Sequence, residues 1–268
     1  MTARLDAALV ERGMVSSRQK AKELIAAGMV TVNGVTVQKA SRPVDEGDAI
    51  GCVDTLHRYV GRGGEKLEKV LRETGLDVRG RCCVDIGAST GGFTDCLLQH
   101  GAGKVYALDV GHDQLHPRLR ADGRVVSLEG TDVRRTADVL ERMGADRPTV
   151  GTVDLSFISL RSVWPSIAAL MGDDPAVAVL IKPQFEAGRA AVGKKGIVRD
   201  PADHRDVLGG LLSFWEESGW SVEYLSHSPV TGGEGNIEYL ALIRPLNGGS
   251  PRRWTPRAVV EEAFAALR

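Results

Sequence analysis

The chain has 268 residues, with 34 Lys and Arg against 35 Asp and Glu and a formal net charge of −1. Its 43% hydrophobic and 26% charged content is ordinary for a globular protein, and no apolar run approaches the ~18 residues of a membrane helix. The near-neutral balance gives no general attraction to nucleic acid, although local basic patches remain compatible with it. The first residues are charged where a signal peptide would be apolar, so we predict a cytoplasmic protein.

The four cysteines show no C-x-x-C spacing. They are Cys52, Cys82, Cys83 and Cys96. This distribution indicates reduced thiols in the core, with neither a zinc site nor a disulfide framework, and we predict no metal site.

The first part of the chain predicts a small α+β domain over residues 1–55. RLDAALVERG indicates a short helix that ends near Gly13, and SSRQKAKELIAAG indicates a second helix with a serine cap and Gly28 as its stop. Alternating valines around Asn33-Gly34 predict a β-hairpin, because this dipeptide favours a type I′ turn. GDAIGCV supplies one more short strand.

The pattern RLD..L...G...SR..A..LI..G.V.VNG, followed by V.EGD.I, resembles the S-four-type (αL) RNA-binding domain of ribosomal proteins, pseudouridine synthases and some tRNA synthetases. Residues 1–40 also carry six basic and three acidic side chains. A charged helix face is by itself more often merely solvated, but the resemblance implies contact with RNA. The predicted RNA-binding residues of this domain and the segment after it are Arg4, Arg18, Lys20, Lys22, Arg58 and Arg62.

A basic, glycine-rich segment follows, and we predict a flexible linker over residues 56–64 with a helix from about Glu65. Strand and helix patterns then alternate, which is typical of a doubly wound α/β sheet. The predicted strands span residues 82–87, 105–110, 124–130, 149–157, 176–182, 220–228 and 237–245. The last two are joined by a loop too short for a helix, so they should pair antiparallel.

Residues 65–246 are therefore predicted to form a Rossmann-like domain with a seven-stranded sheet and an antiparallel last strand. Residues 247–268 should form a linker and a C-terminal helix from Thr255, with Pro256 at its first position. This helix should pack on or beside the larger domain.

The stretch VDIGASTGGFTDCLL predicts a strand, a glycine-rich turn and a helix that together approach a ligand closely. Its glycines do not follow the dinucleotide pattern G-x-G-x-x-G. Acids close three successive strands, where they could bind ribose hydroxyls or an adenine amino group. The arrangement resembles S-adenosylmethionine-dependent methyltransferases, with a dehydrogenase as the alternative for this loop alone. The predicted cofactor-binding residues are Asp85, Gly87, Ser89, Thr90, Gly91, Gly92, Phe93, Asp109, Val110, Asp132, Val133 and Asp154.

The fourth and fifth strands lack the motifs typical of two classes of methyl acceptor, a base carbon and an exocyclic amine. Neither strand carries the cysteine that attacks a cytosine carbon, and DLSFIS stands where enzymes acting on exocyclic amines often have an Asn/Asp-Pro-Pro-aromatic motif. Both kinds of base methylation are therefore disfavoured.

Four charged residues should meet at the edge where the parallel strands end. Asp154 closes the fourth strand, Lys182 closes the fifth, Glu238 opens the antiparallel last strand and Lys66 lies in the helix before the first. Charges in apolar surroundings are costly unless they are paired, and two lysines with two acids can neutralise one another. The alternative is that Lys66 and Glu238 are ordinary surface charges.

This set resembles the Lys-Asp-Lys-Glu tetrad of FtsJ-type ribose 2′-O-methyltransferases. With DIGASTGGFTD, DLSFISL, KPQFE.G and GN.EY, the chain is identified as a member of the TlyA family of ribosomal RNA 2′-O-methyltransferases, historically called hemolysins. The resemblance implies S-adenosyl-L-methionine as cofactor, catalytic roles for the four residues with Lys182 at the hydroxyl, and cytidine ribose as the acceptor. The substrate would be the large ribosomal subunit and, in some members, also the small one.

Phe157 could stack on a base turned out of the RNA, although most phenylalanines belong to the core. A ribosomal subunit is a large asymmetric target, so we predict a monomer without membrane contact. The two alternative functions are that of a membrane-active hemolysin and that of a non-catalytic RNA-binding assembly factor. A membrane-active hemolysin lacks a long amphipathic helix rich in aromatic and basic residues. The intact tetrad argues against a non-catalytic RNA-binding assembly factor, because such a protein does not need catalytic residues.

Overall fold

The computed structural model describes residues 2–15, 17–52, 58–193, 196–232, 235–247 and 252–267. The chain divides into two compact units, Met1–Arg58 and Tyr59–Arg268. Each has its own hydrophobic core.

The described residues of the first unit form two helices and five short strands. They are β1 (Ala3–Arg4), α1 (Leu5–Glu11), α2 (Arg18–Ala26), β2 (Val30–Val32), β3 (Val35–Thr36), β4 (Pro43–Val44) and β5 (Ile50–Cys52). Strand β2 pairs antiparallel with both β3 and β5, and β1 pairs antiparallel with β4. Leu5, Leu9, Leu24 and Ile25 are all fully buried, so one face of each helix supplies the core.

The local signals read from the first unit's sequence are confirmed. The Ser17 hydroxyl accepts a hydrogen bond from the Lys20 amide and caps α2, as expected for serine at this position. Asn33 and Gly34 both have positive φ, 53° and 79°, as a type I′ hairpin turn requires. Gly28 follows α2 at φ 73°.

The second unit is a three-layer α/β domain. Its elements are α3 (Gly63–Thr74), β6 (Cys82–Ile86), α4 (Gly92–Gln99), β7 (Lys104–Leu108), α5 (Pro117–Arg120), β8 (Val125–Leu128), α6 (Thr136–Met143), β9 (Val150–Val153), α7 (Leu160–Leu170), β10 (Ala176–Ile181), α8 (Pro183–Glu186), α9 (Pro201–Glu217), β11 (Trp220–His227), β12 (Tyr239–Pro245) and α10 (Pro256–Leu267).

The seven strands lie in the order β11-β12-β10-β9-β6-β7-β8. Strands β6 to β10 pair in parallel, whereas β12 runs antiparallel to both β10 and β11. The predicted seven-stranded sheet with an antiparallel last strand is therefore confirmed. Since β11 and β12 are joined by a short loop, antiparallel pairing is the arrangement open to them.

Strand β10 shows why the sheet is stable. All six of its residues are between 0 and 2% exposed, because helices cover both faces of the sheet. Val179 belongs to the core cluster that includes Trp164 of α7 and Trp215 of α9, and Leu180 belongs to the one that includes Leu67 of α3. Burial of each large apolar side chain contributes about 1.5–3 kcal/mol.

The linker expected over residues 56–64 is wrong from Tyr59 onward. Tyr59 is only 3% exposed and belongs to the core cluster beneath α3, and α3 begins at Gly63. A Cβ on Gly64 would overlap the Tyr59 ring, so this glycine serves close packing rather than flexibility. Residues 56 and 57 lie outside the described part of the chain.

The C-terminal helix α10 begins at Pro256, as predicted, and packs against α9 and β11. Val260 and Ala263 are fully buried in the same cluster as Trp215.

Candidate active site

The candidate site lies where the chain reverses its direction of travel across the sheet. From β6 the chain builds β7 and β8 on one side, and from β9 it builds β10 on the other. The crevice at the carboxyl ends of two such strands is where open α/β sheets bind ligands. A cavity of about 480 Å³ opens there. Its lining residues are Gly87, Ser89, Leu108, Asp109, Val110, Gln114, Asp132, Val133, Arg134, Asp154, Leu155, Ser156, Phe157, Ile158 and Val163.

Gly87 shapes this cavity because only glycine fits its position. Its φ is 85°, and a Cβ there would collide with the carbonyl oxygen of Asp154. The loop after β6 therefore passes directly over the end of β9, which leaves the crevice open for a ligand.

Asp109 ties the loop after β6 to the loop after β7. Its Oδ2 accepts a hydrogen bond from the Ser89 amide at 2.8 Å, and its Oδ1 accepts one from the Gly111 amide at 2.7 Å. A carboxylate has about four lone-pair positions, so both oxygens can still accept from ribose hydroxyls.

Asp132 follows β8 on the cavity wall and is held by the guanidinium of Arg134. The hydrogen bond from Arg134 lowers the pKa of Asp132. Val133 is buried beside it, whereas Val110 is 66% exposed.

Asp85 is not among the residues that line the cavity, and its contact with the cofactor stays a prediction. It is fully buried; Thr94 donates to its Oδ2 through both its amide and its hydroxyl, and the Thr152 hydroxyl donates to its Oδ1. Burial raises the pKa of Asp85 to about 6. Asp85 fixes the start of α4 beneath the glycine loop.

Four other predicted cofactor residues also lie off the cavity wall. They are Thr90, Gly91, Gly92 and Phe93. The turn carries them away from the crevice: a Cβ on Gly91 would strike Leu119, and Gly92 abuts the backbone of Gly63. Gly92 and Phe93 are the first residues of α4.

Lys182 and Asp154 form an ion pair at the ends of β10 and β9. Lys182 Nζ lies 2.6 Å from Asp154 Oδ1 and donates a hydrogen bond to Ser156 Oγ at 2.9 Å. The Lys182 side chain is 12% exposed and that of Asp154 25%. The contact with Asp154 is an ion pair without hydrogen-bond geometry, so the hydrogen bond to Ser156 still leaves donors of the ammonium group for a substrate atom.

Lys66 and Glu238 form a second, more deeply buried pair. Lys66 Nζ donates to Glu238 Oε2 at 2.5 Å, and the two residues are 8% and 3% exposed. The alternative that they are ordinary surface charges is therefore wrong.

The two pairs share one edge of the sheet. Ile181 pairs with Tyr239, so Lys182 and Glu238 are the next residues beyond that position on neighbouring strands. Gly63, one turn before Lys66 on α3, has its Cβ position 4.0 Å from Asp154 Oδ2. The predicted four residues are thus brought to the edge that also carries the cavity.

The remaining predicted RNA contacts fall in both units. Phe157 is 90% exposed on the cavity rim, so its assignment to the core is excluded; Arg62 is exposed at the start of α3 and Arg58 is exposed too. In the first unit, Arg4 and Arg18 both bind the buried carboxylate of Asp6.

Lys22 of α2 is exposed and Lys20 is half-buried. The hydrogen bond from Arg4 lowers the pKa of Asp6 to about 2. Whether these side chains touch RNA stays a prediction.

Sequence reasoning missed several cavity residues. They are Leu108, Gln114, Arg134, Leu155, Ser156, Ile158 and Val163. Leu155, Ser156 and Ile158 follow Asp154 directly, so the position of DLSFIS after a strand was a usable signal. Gln114 carried no such signal, because the amides of Gln114 and Leu115 are placed by hydrogen bonds to Glu129, which is distant in sequence.

Comparison with known proteins agrees with this geometry. Residues 59–244 match the FtsJ-like methyltransferase family, and residues 3–50 match the S4 domain. Hemolysin A of Brachyspira hyodysenteriae is 46% identical over 239 residues, which are 89% of this chain and 98% of the relative. The 16S/23S rRNA (cytidine-2'-O)-methyltransferase TlyA of Mycobacterium tuberculosis (strain CDC 1551 / Oshkosh) is 42% identical over 243 residues, 90% of each chain.

A solved structure from Streptococcus thermophilus, described as a candidate hemolysin, superposes with a TM-score of 0.76 at 40% identity. The superposition covers 99% of this chain and 96% of the chain in that structure. Among the described residues, no helix is both long and apolar enough to cross a bilayer, and no group of three or more His, Cys, Asp or Glu could hold a metal ion.

The cavity fits S-adenosyl-L-methionine, the cofactor of this family, because it offers carboxylates for ribose hydroxyls beside apolar walls for the adenine ring. The chain therefore belongs to the TlyA family, an S4 domain followed by an FtsJ-like, S-adenosylmethionine-dependent methyltransferase domain.

Proposed function

We propose that this enzyme methylates the 2′-hydroxyl of cytidine ribose in ribosomal RNA, with the large subunit as substrate and the small subunit as a second candidate. The observation that carries the proposal is the pair of lysine–carboxylate contacts, Lys182–Asp154 and Lys66–Glu238, beside the cofactor cavity. Relatives named as rRNA (cytidine-2'-O)-methyltransferases at 42% identity support the choice of acceptor. A ribosomal substrate also implies action in the cytoplasm.

A 2′-hydroxyl is a poor nucleophile at neutral pH, so the site must stabilise the developing alkoxide or accept its proton. Lys182 is suited to this role because the ion pair with Asp154 and the hydrogen bond to Ser156 hold its ammonium group in place, with donors left for the hydroxyl oxygen. When bound, S-adenosylmethionine supplies a methyl group on a good leaving group, and holding the hydroxyl in line with that methyl group does much of the remaining work.

Lys66 on α3 and Glu238, directly before β12, support this arrangement from the neighbouring elements. Their charges neutralise each other in a buried position, so they can contact the ribose without leaving an isolated charge in the folded protein. Base methylation through a cysteine finds no support, because Cys83 and Cys96 are fully buried and no cysteine lines the cavity among the described residues.

The exposure of the Phe157 ring on the cavity rim supports a role for it in stacking on a base. Arg4, Arg18, Lys20, Lys22, Arg58 and Arg62 would bind the RNA backbone, as the S4 domain of the first unit suggests.

The decisive experiment is Lys182→Ala. We expect the single-turnover rate of methyl transfer to ribosomal subunits to fall by about 100-fold or more, because a positioned acid–base group contributes about that much. Circular dichroism should be unchanged. Methylation at the wild-type rate would refute the catalytic assignment. Mapping of 2′-O-methyl sites in rRNA, with and without the gene, would identify the nucleotide and the subunit.

A further inference from the structure

Two neighbouring segments are joined at both ends of the candidate site. We define the substrate loop as residues 154–159, between β9 and α7, and the clamp segment as residues 182–186, which follow β10. At one end, Lys182 of the clamp segment contacts Asp154 and Ser156. At the other end, Glu186 reaches the last residue of the substrate loop and the first residue of α7.

The substrate loop holds a backbone conformation that must be enforced. Phe157 has a φ of 63°, in the left-handed region where a residue with a Cβ loses roughly 1–2 kcal/mol. Its side chain is 90% exposed, so burial does not compensate for this strain. Its ring contacts Phe185 of the clamp segment, with 5.0 Å between ring centroids. The conformation therefore depends on contacts with the clamp segment.

Glu186 makes the contact that anchors the far end of the loop. Its Oε1 accepts a hydrogen bond from the Leu160 amide at 2.6 Å, and its Oε2 accepts one from the Ser159 hydroxyl at 2.7 Å. Ser159 itself accepts from the Arg161 amide, so two side chains together satisfy the start of α7. A carboxylate there also interacts favourably with the helix dipole.

Glu186 is separate from the reacting groups. It lines no part of the cofactor cavity, and its hydrogen bonds go to Ser159 and Leu160 rather than to Lys182 or Asp154. The pKa of its carboxyl is raised, because the effect of burial exceeds the opposing effect of the hydrogen bonds from Leu160 and Ser159. Glu186 is half-buried, and its two directed hydrogen bonds make it suited to anchor the loop.

We propose that Glu186 is a positioning residue that fixes the substrate loop, and through it holds Asp154, Ser156 and Phe157 in place around Lys182. This inference rests on the proposed 2′-O-methylation for its kinetic effect, but the structural effect on the loop is independent of the substrate.

The test uses the full chain with Glu186→Ala and Glu186→Gln. For Glu186→Ala we expect a fall of about 10-fold to 100-fold in the single-turnover methylation rate, since small misplacements of reacting groups have effects of this size. The dissociation constant for ribosomal subunits should change far less than the rate, because only Phe157 of the proposed RNA contacts lies in the substrate loop. Glu186→Gln should recover part of the rate, because its amide oxygen can accept one of the two hydrogen bonds.

Amide hydrogen exchange gives the readout that does not need a substrate. In Glu186→Ala, exchange should accelerate in a peptide covering residues 154–161 and stay unchanged in one covering β6. Glu217→Ala, at an exposed position near the end of α9, is the matched control and should leave both the rate and the exchange unchanged.

Unchanged exchange of residues 154–161 in Glu186→Ala would overturn the proposal, and so would a wild-type methylation rate. Faster exchange throughout the second unit would also overturn it, because the residue would then be a general contributor to folding. If the wild-type protein fails to methylate any ribosomal subunit, the proposed function fails, while faster loop exchange in Glu186→Ala would still support the anchoring role.

Discussion

The acids of this protein take different roles that follow from what surrounds each of them. Asp154 faces a lysine and is partly exposed at the site, whereas Asp85 is fully buried with only threonine donors around it. Hydroxyl and amide donors stabilise a carboxylate less than a neighbouring cation does, and burial therefore dominates and raises the pKa of Asp85 to about 6. The charged form of Asp85 is therefore disfavoured in the folded protein.

The raised pKa of Asp85 predicts a pH-dependent stability. Between the ordinary aspartate pKa of 3.8 and about 6, the folded state binds more protons at Asp85 than the unfolded state, so this group lowers the free energy of unfolding as the pH rises through that window. Asp85→Asn removes the titration. We expect the stability of this variant relative to the wild type to increase between pH 4 and pH 7, by up to about 3 kcal/mol.

Denaturant unfolding of both proteins at several pH values measures this difference. A difference that is the same at pH 4 and pH 7 would show that Asp85 does not titrate in this range.

At the scale of elements, the turn from β6 into α4 depends on Gly87, a position with no room for a side chain. Gly87 combines a positive φ with a close approach to the Asp154 carbonyl, so a side chain would meet both backbone strain and a clash. Gly75, at the end of α3, also has a positive φ of 68° but has no atom within 4 Å of its Cβ position. Substitution of Gly75 therefore tests the backbone strain alone, whereas substitution of Gly87 tests the strain together with a steric clash.

We predict that Gly87→Ala lowers stability and abolishes measurable binding of S-adenosylmethionine, because the loop must move away from β9. Gly75→Ala should destabilise the protein by about 1–2 kcal/mol, the strain alone, and should leave the affinity for the cofactor unchanged. Thermal unfolding and calorimetric titration with the cofactor test both variants. Wild-type cofactor affinity in Gly87→Ala would contradict the geometry of the turn.

At the scale of the whole molecule, the chain combines two units with separate cores and, as we propose, separate tasks. The first unit carries Arg4 and Arg18, both held by the buried Asp6, while the proposed catalytic groups and the cofactor cavity lie in the second. A planar guanidinium fixed by one carboxylate keeps further donors for a phosphate. The overall charge of −1 conceals an excess of basic residues in this unit, with six basic and three acidic side chains over residues 1–40. The expected monomer stays a prediction.

Removal of these arginines should weaken binding to ribosomal subunits without affecting the cofactor. For Arg4→Ala and Arg18→Ala we expect a higher dissociation constant for the subunits. The slope of its salt dependence should fall by about 0.7 for each phosphate that the variant no longer binds. Cofactor affinity should not change.

Arg79→Ala, which removes an exposed guanidinium paired with Asp77, is the control with the same change in charge. An unchanged salt dependence in both Arg4→Ala and Arg18→Ala would exclude these arginines from RNA contact.

Much of this protein is determined by local signals in its sequence. The cap at Ser17, the Asn33-Gly34 turn and the alternation of strands with helices each depend on neighbouring residues, and the structure confirms all three. The charged residues at strand ends could also be predicted to lie close together, because parallel strands end at a common edge of the sheet.

Only the tertiary structure decided which of these side chains meet. It paired Lys66 with Glu238, surrounded Asp85 with the donors of Thr94 and Thr152, and buried Tyr59 where a linker was expected. These outcomes depend on contacts between residues far apart in the chain, such as those of Asp85 with Thr152 and of Glu186 with Ser159. Local periodicity carries no information on such contacts, because burial and hydrogen-bond partners are set by how the elements pack.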